Sequence, residues 1–157
     1  MKILRKYQNI LKYLFILFSI NIFFLNSYFK EYLYTGSQSD LNSFVFRNII
    51  LFKENFIYAI VNYGKLEDAN WPLSYIIHAY LNPFSNNIST YLMSSTLIGF
   101  MTFLIISRCF KNKNFNNLDS FAIASLILLL PWFNGRAHWG TSANLGWFFF
   151  SITIFFL

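Results

Sequence analysis

The chain has 157 residues, of which 56% are hydrophobic, 22% aromatic and only 11% charged, against about 25% charged residues in an ordinary soluble domain. That composition excludes a water-soluble globule, because there is too little charge to cover a surface and the apolar runs are too long for a small core to bury. The net charge of +6 does not point to nucleic acid, since the basic residues flank apolar runs as they do in membrane proteins.

Lys2, Arg5, Lys6 and Lys12 precede residues 13–29, seventeen residues without a charge. As a helix this run measures about 25 Å, close to the thickness of a hydrocarbon core. A secretory signal has the same beginning, but Asn26-Ser27-Tyr28-Phe29-Lys30 offers no small-x-small cleavage site, so an uncleaved anchor is expected. Residues 30–87 are too many for a simple connection. Within them Asp40, Ser43, Arg47, Glu54 and Tyr58 recur at helical spacing, and Leu41, Phe44, Val45, Phe52, Phe56 and Ile60 fill the rest of the circumference. This pattern predicts one amphipathic helix lying in the membrane interface. Gly64 would cap its end. Asn70 would start a second helix over 71–81, with Pro72 in its first turn and Asn82-Pro83 as its stop.

Residues 88–107 form a second uncharged run of twenty, ending at Arg108, Lys111 and Lys113. The lone Cys109 in that gap excludes an intrachain disulfide and a cysteine-rich metal site. Two further spans are expected over 120–133, with Asp119 or Ser120 as cap and Pro131 near the end, and over 144–157, with 134–143 as a loop between them. The two cytoplasmic-type segments hold seven of the twelve basic residues and one of the six acids, and so the whole +6. The positive-inside rule then puts the N-terminus in the cytoplasm and residues 30–87 and 134–143 on the far side. The fold class expected is an all-α, multi-pass integral membrane protein of the inner or plasma membrane. It would have about four transmembrane helices and two interfacial amphipathic helices in the first non-cytoplasmic loop, all within a single membrane domain spanning 1–157. The last span reaches only about 21 Å, so a terminal carboxylate after Leu157 would lie in hydrocarbon, and the chain is expected to be the front portion of a longer protein.

Far-side acids stand at Asp40 and at Glu67-Asp68, just before Trp71-Pro72. A carboxylate at a membrane boundary can serve as general base towards a hydroxyl, and Asp40 can equally be a helix cap or a solvated charge. His78 and His138 are isolated and no Asp-x-Asp occurs, so no metal and no cofactor are expected. Asn87-Ile88-Ser89 matches a glycosylation tripeptide beside a span.

An acid soon after the first span, an amphipathic helix ending in Gly, then an acid-and-proline motif opening a second interfacial helix, resembles the polyprenol-phosphate-dependent glycosyltransferases of the GT-C superfamily. These include the protein mannosyltransferases, the lipid A aminoarabinose transferases and related bacterial enzymes. Where the mannosyltransferases carry Asp-x-His-Pro-Pro-Leu, this chain carries Asp68-Ala69-Asn70-Trp71-Pro72-Leu73, with Asn and Trp in place of His and the first Pro. The stretch Gly135-Arg136-Ala137-His138-Trp139-Gly140-Thr141-Ser142-Ala143-Asn144-Leu145, after a third span ended by proline, is similar to the far-side loop before the fourth span of such enzymes. The resemblance implies transfer of a sugar from a polyprenyl-phosphate-linked donor, within membrane lipid, to an acceptor on the non-cytoplasmic face in building the cell envelope. It makes Asp40 the general base and Asp68 the second carboxylate. The departing phosphate needs a cation, for which Arg136 comes first, ahead of Arg47 and Lys65, with Glu67 and His78 as further substrate contacts. Arg136 could instead be an interfacial anchor beside Trp132 and Trp139. Two other classes remain open: a small membrane assembly protein whose far-side loop docks a partner, and a fragment of a polysaccharide transporter or polymerase.

Overall fold

The computed structural model describes residues 2–28, 44–66, 71–140 and 142–157, and among these every regular element is a helix. In chain order they are α1 (Lys2–Tyr28), α2 (Phe46–Glu54), α3 (Phe56–Val61), α4 (Pro72–Ile76, continued by a π turn at Ile77–Leu81), α5 (Ile88–Asn112), α6 (Asn117–Leu129), α7 (Pro131–Trp139) and α8 (Ser142–Phe156). The stretch Lys6–Asn26 of α1 and the whole of α5 are long and apolar enough to cross a membrane. A third crossing results if α6 and α7, bent by 73°, are one broken span. Helix α8, at 15 residues, is apolar but shorter. The chain is a helical membrane protein, as its composition requires.

Helix α5 is the axis. It packs against α6, α7 and α8 and touches α1, which otherwise rests on α6 and α7. Two apolar cores form at its two ends. At its N-terminal end Val45, Ile49 and Phe52, one face of α2 and its lead-in, meet Ala59, Tyr75, Ala79, Tyr91 and Leu92. Towards its C-terminal end Phe23, Phe103, Ala124, Leu128, Phe133 and Ala137 close the bundle. Beyond that core, at the end of the bundle where α5 finishes and α6 begins, Lys12 on α1 forms an ion pair with Asp119 on α6. The two basic segments that the sequence assigns to one side therefore do meet at one end of the molecule, away from residues 44–86.

Glycine at 99 allows a close helix contact. A Cβ there would lie 2.7 Å from the Cβ of Ala137 and 3.3 Å from the ring of Phe23, so only a bare backbone lets α5, α7 and α1 approach this far. Gly140 ends α7 in the left-handed region at φ 65°, where a side chain would also strike the ring of Tyr91. The Tyr91 hydroxyl donates to the Gly140 carbonyl and ties the cap of α7 to the start of α5.

Several expectations need correction. The single amphipathic helix breaks at Asn55 (φ −145°, ψ 75°), whose Oδ1 accepts from the Tyr58 N–H at 3.1 Å and starts α3 afresh. An asparagine side chain competes for backbone groups in this way. Phe56 and Ile60, expected as apolar cover, are exposed. Gly64 does not cap a left-handed helix end; α3 stops at Asn62, and Gly64 lies in a 3-10 turn at Tyr63–Lys65. The cap of α6 is neither Asp119 nor Ser120 but Asn116, whose Oδ1 accepts from the Asp119 N–H at 2.9 Å while its amide donates back to Asp119 Oδ2 at 2.6 Å. Pro131 does not trail a span but opens α7, and residues expected as a loop from 134 are helical as far as Trp139. The helix expected over 71–81 is present from Pro72, whereas its expected cap Asn70 lies outside the described residues.

Gly99→Ala is expected to destabilise the folded chain by about 1–3 kcal/mol, the usual cost of overpacking. Ala137→Gly in the same chain should recover part of that loss, because it removes the atom struck. Detergent- or heat-induced unfolding of the single and double variants measures both effects.

Candidate functional site

Of the residues singled out from the sequence, Asp40, Glu67 and Asp68 lie outside the described residues. Arg47 and Lys65 are brought together. With Glu54, Tyr58 and Asn62 they line an open groove of about 700 Å³ on the outer side of α2 and α3. The groove follows from the broken helix. Arg47, Glu54 and Tyr58 keep the polar face that their spacing predicts, and the turn after Asn62 swings Lys65 round to meet them. Arg47, Glu54 and Lys65 are exposed, and among the described residues none of them forms an ion pair. Two cations without a carboxylate contact among the described residues, beside hydroxyl and amide donors, can receive a phosphate or another anion. In the same turn as Lys65, Tyr63 packs against the apolar core, where burial and the neighbouring Tyr75 hold its phenol above its usual pKa, so it remains a neutral hydrogen-bond donor.

Arg136 stands elsewhere. Its guanidinium carbon lies 5.4 Å from the centre of the Trp132 ring, a cation–π contact on α7, and it does not line the groove. This arrangement matches the anchoring role open to it from the sequence. His78 is only 3% exposed. Its ring packs edge-on to Tyr91 with centroids 4.9 Å apart, and Asn82 Nδ2 donates to its Nδ1 at 3.1 Å and to Ser94 Oγ at 2.8 Å. That amide orientation is set by Asn82 Oδ1, which accepts from the Phe84 N–H at 3.0 Å. Burial pushes the His78 imidazole down to about 4, so near neutral pH it carries no charge to offer an anion.

The remaining polar contacts hold the groove against α5. Tyr80 donates its hydroxyl to the Phe52 carbonyl at 2.8 Å, and Lys53 Nζ donates to Asn86 Oδ1 at 2.5 Å. Asn87 caps α5 by accepting from the Thr90 N–H at 2.9 Å. Tyr91, Asn82 and Ser94 have no motif around them, and sequence reasoning passed over all three. The visible signals were Asn82-Pro83, noted only as a helix stop, and the hydroxyl run Ser94-Ser95-Thr96 inside an otherwise apolar span. Among the described residues no cluster of three or more His, Cys, Asp or Glu could hold a metal ion.

Compared with protein-family models, curated proteins and solved structures, the chain shows no match.

His78 makes stability depend on pH. Its folded value lies below the ordinary 6.5, so the unfolded chain takes up the proton first. The contribution of the neutral ring is whole above pH 6.5 and is lost as pH falls towards 4, by roughly 3 kcal/mol at most. Unfolding free energy followed from pH 7 to pH 4 should fall more steeply in the unaltered chain than in His78→Gln.

Proposed function

We propose that this chain forms part of a membrane glycosyltransferase that moves a sugar from a polyprenyl-phosphate donor to an acceptor hydroxyl on the non-cytoplasmic face. The groove that joins Arg47 and Lys65 is the observation that carries this reading. It supplies the cations needed where a phosphate departs, and it lies between two acidic segments of the sequence, Asp40 seven residues before Arg47 and Glu67-Asp68 directly after Leu66. Asp40 acts as general base on the acceptor hydroxyl. The oxygen attacks the anomeric carbon from the face opposite the phosphate, the carbon–oxygen bond to the phosphate breaks, and polyprenyl phosphate leaves with its added charge held by Arg47 and Lys65. Asp68 and Glu67 position the acceptor. Arg136, engaged by Trp132, ranks behind the two groove cations. His78 supports the groove from beneath as a neutral core residue.

In this reading α1, α5, the bent α6–α7 pair and α8 are four crossings, with the N-terminus in the cytoplasm. The Lys12–Asp119 contact supports that arrangement, since it joins the two basic segments at one end of the bundle. Helices α2, α3 and α4 then lie at the far interface. The exposed Ile57, Val61, Trp71 and Leu73 are the apolar groups that such a position would sink into lipid.

With polyprenyl-phosphate sugar as donor and the protein in bilayers, Asp40→Asn should lower turnover by about 10²–10⁴-fold. Arg47→Ala and Lys65→Ala should each lower it by about 10²-fold or more, while Arg136→Ala changes it far less. Turnover unaffected by Asp40→Asn would reject the base and favour a non-catalytic assembly protein. An accessibility reporter inserted after Gly64 should be labelled from the external side only, and cytoplasmic labelling would remove the topology on which the mechanism stands.

A further inference from the structure

Helix α1 covers the bundle with one side and leaves the other open. It rests on α6 and α7 through the side that holds the buried Ser19 and Phe23. On the open side Tyr7, Ile10, Leu14, Leu17, Asn21 and Phe24 are all exposed, although Phe24, at the edge, also touches the Phe100 ring. Their spacings run 3, 4, 3, 4 and 3, the a-and-d period of a coiled-coil seam. Tyr7, Leu14 and Asn21 take the a positions, and Ile10, Leu17 and Phe24 take d. The e positions beside them, Leu11, Phe18 and Leu25, are exposed and apolar too. Lys12 and Ser19 fall at f, roughly 160° round the helix from Asn21 in the case of Ser19, and Lys12 is engaged there by Asp119. The seam itself carries no charge.

Asn21 is the one amide in that seam, and its depth makes it costly. It is the central residue of the uncharged run 13–29, eight residues from either end, or about 12 Å along the helix axis. Its Nδ2 donates to the Leu17 carbonyl at 2.7 Å. A carbonyl only accepts, so this bond fixes which way the amide points. One N–H and the Oδ1 atom are left without a partner among the described residues, at a depth where lipid offers neither donor nor acceptor.

An amide with one donor and one acceptor to spare is complementary to another copy of itself. Copies of one chain inserted in the same direction present α1 in parallel, and a two-fold axis along the bilayer normal sets both Asn21 side chains at one depth. A helix of different sequence would have to carry a polar group at this one level, whereas a second copy brings it there by symmetry. A single asparagine at an a position is also the device that fixes register and number of strands in parallel coiled coils. We propose that the chain forms a parallel homodimer through the open face of α1, in which the Asn21 amides of the two copies hydrogen-bond to each other and Leu14 and Leu17 pack across the seam. The dimer depends neither on the sugar-transfer reading nor on which side of the membrane holds the N-terminus.

Disulfide cross-linking of the whole chain in phosphatidylcholine bilayers tests the interface, with Cys109→Ser as the background. Leu14→Cys and Leu17→Cys, introduced singly, should give covalent dimers on mild oxidation several-fold faster than Ile16→Cys and Ile22→Cys, which lie off the seam. Equal rates at the four positions, or faster linkage at Ile16 and Ile22, overturn the interface. Energy transfer between labelled copies, followed against the protein-to-lipid ratio, gives the dissociation constant. Asn21→Leu should raise it about 3- to 30-fold, and Asn21→Gln, which keeps the amide, should restore much of the pairing. A dissociation constant unchanged by Asn21→Leu overturns the role of the amide. A chain that stays monomeric at every ratio overturns the dimer, and its open face then meets lipid or a different helix. Asn21 is exposed, so both substitutions leave the packed side of α1 unaltered.

Discussion

The first three turns of α5, with Tyr91, Ser94, Ser95, Thr96 and Gly99, are the segment on which both halves of the molecule assemble. A helix crossing hydrocarbon gains little from burying leucine against leucine, because lipid is as apolar as the neighbouring helix. Association must come from close packing and from hydrogen bonds that lipid cannot replace. Gly99 gives the close packing against Ala137 and Phe23. Ser95 and Thr96 give hydrogen bonds to Asn144 and His138. Tyr91 reaches the end of α7 at Gly140 and Ser94 reaches Asn82, so the first turns of one helix hold both α7 and the segment that ends at Asn82.

That arrangement divides the molecule by chemistry. Where residues 44–66 meet the N-terminal end of α5, an apolar core of Ile49, Phe52, Tyr75 and Tyr91 supports an open polar groove. Cations remain exposed on its wall, and the histidine beneath is neutral. Across the bundle, polar side chains are buried and serve neighbouring helices rather than solvent. The separation explains why Arg47 and Arg136 differ in surroundings although the sequence reading expects both on the far side. The first stands exposed over a groove, whereas the second is held on a tryptophan ring.

Much of the architecture was legible because hydrocarbon thickness and charge asymmetry are properties of linear sequence. The uncharged runs before Lys30 and after Asn87 both became membrane-length helices. Pro72 and Asn82-Pro83 bounded the helix between them. The polar face of Arg47, Glu54 and Tyr58 was visible from its spacing, and these residues do line one groove. The break at Asn55 was not visible, because an asparagine inside a periodic pattern reads as one more polar position until its side chain turns to cap a backbone N–H. The role of Gly99 was hidden for a similar reason, since only the approach of Ala137 and Phe23 gives meaning to its missing side chain.

The sequence by itself determined that the chain belongs with membrane proteins, that its basic segments cluster together, and where its longest helices run, because each of these follows from counting charges and apolar residues along a line. Tertiary structure alone decided which polar residues work together. Lys65 reaches Arg47 only through the turn after Asn62, and His138 meets Thr96 only because the chain bends at Leu130-Pro131 and lays α7 against α5. Hydrogen bonds and close contacts depend on distances in space, and residues 42 positions apart, such as Thr96 and His138, leave no mark of their meeting in the order of the amino acids.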